Sequence, residues 1–133
     1  MAVKAKSKAE SQSCQAWLTI GAKTCDGRTG RDQGHAEMSA LHGFVTSFDS
    51  VDQAVAFFNQ QTNRVVYCPS RPVCKQCGFV LRRLGFACGT NSAGTTVWGD
   101  KTMGSTEWGC TLKVRDFLKK MGVSYDEAVG LRK

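Results

Sequence analysis

The sequence predicts a layered α/β domain built around one sheet. Three observations carry this. Short β-rich runs bounded by turn residues alternate with helical stretches. Apolar residues in those stretches recur at the three- and four-residue spacing of a helix. The 133 residues, 41% hydrophobic and 22% charged, are one domain's worth and enough to bury a core. No apolar run nears the roughly 20 residues of a membrane-spanning helix. Lys4, Lys6 and Lys8 are not followed by the apolar stretch of a signal peptide, so a soluble chain is expected.

Residues 1–13 are polar and rich in Lys, Ser and Ala, and read as a flexible tail or linker ahead of a folded domain spanning 14–133. Ala16 to Ile20 is the first strand, stopped by Gly21, and the polar, glycine-bearing stretch Lys23 to Gly34 reads as a loop. From His35 the period becomes helical: Met38, Leu41, Val45 and Phe48 share a face. Ser50 with Gln53 three residues on is a capping-box pattern opening a second helix, whose Val51, Ala54, Val55 and Phe58 form a stripe. Both helices are expected to be half buried. Arg64 to Cys68 reads as an interior strand closed by Pro69. A third helix follows Pro72, with Cys77, Val80, Leu81 and Leu84 on one face and Gly85 as its stop. Phe86 to Cys88 and Thr95 to Trp98 are further strands, and Asp100 to Gly109 is a polar loop carrying Trp108. Val114, Phe117, Leu118 and Met121 mark a helix, and Ser124 with Glu127 caps a last short one.

The chemistry concentrates in two short motifs, His35-Ala36-Glu37 and Pro72-Val73-Cys74-Lys75-Gln76-Cys77, each at the opening of a helix. Together they supply one imidazole and two thiolates, three ligands of a tetrahedral zinc whose fourth position stays open for water. Cysteines three apart in a first helical turn point to one side, and the free N–H groups and positive dipole there favour the thiolate that zinc requires. Glu37, two residues beyond the imidazole, can then lie over the water and serve as its base. Zinc lowers that water's pKa to about 7, so a carboxylate can take its proton and return it to a ring nitrogen or leaving amine.

These residues resemble the zinc-dependent cytidine-deaminase-like superfamily, whose signature is H-x-E followed by P-C-x-x-C. The resemblance spans roughly Cys14 to Met121 in motif and element order, and is closest to the compact deaminase domains of bacterial polymorphic toxins. It implies a three-layer α/β/α fold on a mixed sheet of about five strands, with His35, Cys74 and Cys77 as zinc ligands and Glu37 as proton shuttle. It further implies conversion of cytosine to uracil in DNA, single- or double-stranded, with RNA as another substrate. A toxin domain of that kind is carried within a larger secreted polypeptide, acts as a monomer in the cytoplasm of a target cell, and is restrained by an immunity protein. The chain departs from the family pattern where Val73 separates Pro72 from Cys74. It also lacks, within Lys23 to Gly34, the Asn that many nucleoside-directed members carry.

Rival readings are a small-molecule nucleoside or base deaminase, and a basic nucleic-acid module held by a structural zinc on Cys68, Cys74, Cys77 and Cys88. Cys68 and Cys88 lie in apolar strands, where cysteine commonly serves as a small buried hydrophobe. His42, about 10 Å along the helix from His35, is too distant to share its metal. Seven cysteines are an odd number, which argues against a disulfide framework and for a reducing compartment. Eighteen Lys and Arg against eleven Asp and Glu give a net charge of +7, favouring a polyanionic partner. Trp98, Trp108, Arg28, Arg71 and Lys75 are the candidate substrate-binding residues, with Arg31, Lys101 and Lys113 as further basic groups near the mouth. The aromatics would stack a base and the cations would meet phosphates. Trp17 reads as core, and Arg82 and Arg83 as a solvating helix face.

Overall fold

A computed structural model describes residues 15–28, 35–69, 71–92, 94–101 and 108–131. The expected tail at 1–13 and Arg31 lie outside these residues. Strand β1 (Gln15–Ile20) turns through Gly21, whose φ of +63° is a conformation suited to glycine, into β2 (Lys23–Arg28). Helices α1 (Ala36–Thr46) and α2 (Val51–Gln60) follow, then β3 (Arg64–Tyr67), α3 (Lys75–Arg83) and β4 (Ala87–Cys88). A short hairpin of β5 (Thr90–Asn91) and β6 (Gly94–Thr95) precedes α4 (Leu112–Lys120) and α5 (Tyr125–Gly130).

The main sheet is mixed, in the order β2-β1-β3-β4, with β1 antiparallel to both neighbours and β3 parallel to β4. The parallel step needs a crossover, and α3 is that crossover. On β1 alternate residues Ala16, Leu18 and Ile20 are fully buried. Trp17 takes the other, half-buried face opposite Tyr67, so it lies outside the main core.

Two expectations about strands need correcting. The stretch from Lys23 is not all loop: Lys23 to Arg28 is a polar edge strand, held by its register with β1. Sequence periodicity hides it because its inward positions are filled by Lys23, Cys25 and Gly27 rather than by large apolar residues. Nor does a fifth strand join the sheet from Thr95 to Trp98. Gly94 and Thr95 pair with β5, and Thr96 turns inward, its hydroxyl accepting the Cys68 N–H at 2.7 Å. Trp98 makes an isolated bridge to Val73. Among the described residues the sheet therefore has four strands, with a separate two-stranded hairpin and five helices.

Helix α1 is buried all round its first two turns, not half buried, with Ala36, Glu37, Met38, Ser39, Ala40 and Leu41 all inside. Small residues allow this. A Cβ on Gly27 of β2 would lie 2.2 Å from the Ala40 nitrogen and 2.6 Å from the Ala36 oxygen, so strand and helix touch backbone to backbone. On its far side α1 meets α2 and α4 through Phe44, Phe58 and Phe117, whose ring centroids are 5.4 to 6.1 Å apart. His42 adds a polar tie, its Nδ1 lying 2.8 Å from the Thr111 hydroxyl that caps α4. Arg64 closes the lower edge, donating to the carbonyls of Gln61, Leu84 and Phe58 while its guanidinium covers the Phe58 ring at 3.9 Å.

Because the added methyl of Gly27→Ala would meet backbone rather than a movable side chain, that substitution should cost about 1–3 kcal/mol. Urea unfolding should show it as a lower midpoint with little change in slope.

Candidate metal centre

Two helix starts meet at one point. His35 is the N-cap of α1 and Cys74 the N-cap of α3, both with extended backbone at ψ 162°. Cys77 lies one turn into α3. Glycine and prolines bring the chain there: Pro72 precedes a segment whose Val73 and Lys75 N–H groups bond to the carbonyls of Val97 and Lys101, at 2.9 and 2.8 Å. Gly99 returns a bond to the Val73 carbonyl at 2.7 Å, where a Cβ would stand only 2.8 Å from that oxygen.

His35, Cys74 and Cys77 are buried, with their ligand atoms all within 4.8 Å of one another, and are placed to hold one metal ion. His35 Nδ1 is 3.4 Å from Cys74 Sγ and 3.6 Å from Cys77 Sγ. A tetrahedral zinc with bonds of about 2.05 Å to imidazole and 2.3 Å to thiolate sets nitrogen and sulfur about 3.6 Å apart, so the donor set fits that ion. Among the described residues neither Cys68 nor Cys88 belongs to such a cluster, which removes the four-cysteine arrangement.

The two sulfurs differ in environment. Cys74 Sγ accepts the Cys77 backbone N–H at 3.4 Å, a thiolate acting as helix cap. Hydrogen bonding from the Cys77 thiol, and then from His35 and that N–H, lowers the Cys74 thiol to about 5, against the opposing effect of burial. Cys77 is fully buried, and desolvation with the neighbouring Cys74 and Glu37 charges pushes its thiol well above the usual range. The opposing influence is Trp108, whose indole N–H donates to Cys77 Sγ at 3.2 Å. Glu37 itself is 3% exposed on the first turn of α1 and lies close enough for its charge to act on Cys77.

The other residues singled out from the sequence fall into three groups. Arg71 and Lys101 line a cavity of about 390 Å³ that reaches Cys74. Lys75 and Trp98 line an adjoining one of about 510 Å³, and the two share Pro72, Gly99 and Asp100. Arg28 is exposed at the end of the edge strand and Lys113 on α4, and neither lines these cavities. Trp108 is 5% exposed and hydrogen-bonded to Cys77, a different place from the groove that holds Trp98. Sequence reasoning missed Arg82, whose guanidinium lies 5.5 Å from the Trp98 ring centroid in the second cavity. The signal was there: seven residues, two helical turns, separate it from Lys75 on the same stripe.

No protein-family model, no curated protein and no solved structure was found to match this chain.

Cys74→Ser should abolish stoichiometric metal binding, read by elemental analysis of the purified protein. In metal-free protein a Cys74 thiol lowered to about 5 keeps its reactive thiolate on the acid side of neutrality. Alkylation by iodoacetamide should therefore rise between about pH 4 and pH 6, level off above, and be suppressed when metal is bound.

Proposed function

We propose that this protein is a zinc-dependent hydrolytic deaminase acting on nucleobases in nucleic acid, converting cytosine to uracil in DNA. The proposal includes the three-layer cytidine-deaminase-like arrangement and the role of a toxin effector domain that its motifs resemble. The observation that carries it is the joint placement of one imidazole and two thiolates at zinc-ligand spacing with a buried carboxylate on the same helix turn. Three ligands among the described residues leave a coordination position for catalysis, whereas structural zinc sites use four.

Bound zinc supplies Lewis acidity, which brings a coordinated water's pKa near neutrality. Glu37 is the group that moves protons. Its carboxylate takes one from the attacking water and gives it to the ring nitrogen beside the amino-bearing carbon. It then carries the remaining hydroxyl proton to the amino group. The carbon–oxygen bond forms, the carbon–nitrogen bond breaks, and the balance is cytosine plus water to uracil plus ammonia. Burial favours this work, because a carboxylate withdrawn from bulk solvent passes its proton to the substrate rather than losing it to water.

The groove supports the choice of a polynucleotide. Arg71 and Lys101 flank the cavity at Cys74, and Lys75 and Arg82 flank Trp98 in the next. Cations spaced around an aromatic face suit a strand whose phosphates track the charge while a base stacks. Among the described residues, Asp100, at the boundary of the two cavities, is the one acidic side chain that lines them.

Incubation with cytosine-containing single- and double-stranded DNA, followed by uracil-specific cleavage, should yield cut strands. Glu37→Ala should retain zinc and fold while losing at least about 100-fold in rate; substantial residual turnover would refute the assigned role. Turnover of free cytidine with DNA untouched would move the assignment to a nucleoside enzyme, and salt-sensitive DNA binding without ammonia release to a binding module.

Trp98→Ala should weaken DNA turnover through KM, by about 1–3 kcal/mol of lost stacking. Free cytidine, if it is turned over at all, should be much less affected.

A further inference from the structure

We propose that Trp108 is a ligand-positioning residue of the metal centre, its indole N–H holding Cys77 Sγ and setting how strongly that sulfur donates to the metal. The inference rests on His35, Cys74 and Cys77 forming a metal site and not on the reaction assigned to it.

The need for such a donor follows from burial. Cys77 is 0% exposed, so water is excluded from its sulfur. A thiolate there must be neutralised by the metal and by fixed dipoles, because charge-assisted hydrogen bonds gain strength in a low-dielectric site. Trp108 provides one at 3.2 Å. Indole nitrogen is a donor only, so the direction of this bond is unambiguous.

The indole is also braced from behind. Its ring packs on Tyr125 at the start of α5, with centroids 5.7 Å apart and planes at 32°, and the Arg115 guanidinium of α4 covers the Tyr125 ring at 4.2 Å. A stack of three side chains thus runs from the C-terminal helices to the metal ligand, and none of the three is itself a ligand. Outer-shell partners of this kind orient the donor atom and tune its basicity, and their loss commonly costs about 10–100-fold in metal affinity. An N–H bond to sulfur withdraws electron density from it, which leaves the bound metal the stronger Lewis acid and resists protonation of the ligand.

Cobalt(II) is the probe. Wild-type protein should bind one equivalent with a near-ultraviolet sulfur-to-cobalt charge-transfer band; if it binds none, the metal site itself is refuted. Trp108→Phe keeps an aromatic face against Tyr125 but removes the N–H. It should bind cobalt about 10–100-fold more weakly and move the band to longer wavelength, since an unbonded sulfur is the better electron donor. Tyr125→Leu leaves the N–H in place and should weaken binding less, with the band unmoved. A Trp108→Phe band at the wild-type position would overturn the proposal, whatever its affinity, because packing alone does not govern the sulfur's electronic energy. Should that variant not fold, wild-type protein loaded with cadmium decides. The Trp108 indole proton should shift downfield and exchange slowly with solvent, and a proton unmoved by cadmium would overturn the proposal.

Discussion

A buried sulfur anion must find its hydrogen bonds inside the protein, and that constraint organises the centre of this structure. Two helices begin where the charge sits, so the positive ends of their dipoles face it. Cys74 is both a member of the metal-binding cluster and a helix cap. The side chain placed to hold a metal therefore also caps the start of α3, and displacing it would disturb the site and the helix together. His35 has the equivalent position on α1, with its carbonyl accepting the Ser39 N–H at 2.7 Å while its ring turns to the sulfurs.

Holding two helix starts together requires the sheet to position both of them. β2 delivers α1 by direct backbone contact at Gly27, and β3 delivers α3 through a short loop stitched to residues 97–101. The phenylalanine triangle behind α1 then fixes that helix against α2 and α4. The groove is a by-product of the same stitching. The loop that braces Cys74 carries Trp98, Gly99 and Lys101, so the wall that fixes the ligand also lines the cavity beside it.

Much of this was legible in the sequence, for physical reasons that differ by element. Helices α2, α3 and α4 announced themselves because each buries a stripe at helical spacing, and several helices begin with a side chain that caps. Ser50 accepts the Gln53 N–H at 3.2 Å, and Ser124 that of Glu127 at 3.1 Å. The ligand trio was legible because three donors to one ion impose residue types and spacing that packing alone does not. β2 was hidden because an edge strand pressed against a helix by glycine shows no apolar alternation. The truncated sheet was hidden because Thr96 leaves it to satisfy a single N–H across 28 residues. Trp108 read as a loop aromatic, since nothing in its neighbours reveals a bond to a sulfur 31 positions away.

The order in which these pieces lie along the chain bears on how the protein matures. His35 and Cys74 are 39 residues apart, and Trp108 follows Cys77 by a further 31. At about 5–20 residues per second, synthesis delivers all three ligands roughly 2–6 s before the indole. A metal captured in that interval would be held without the Trp108 bond to Cys77. Secure retention would then belong to the last stage of folding, when the indole reaches that sulfur, and a chain cut before Trp108 would carry the whole His-Cys-Cys cluster yet lack its hydrogen-bond donor.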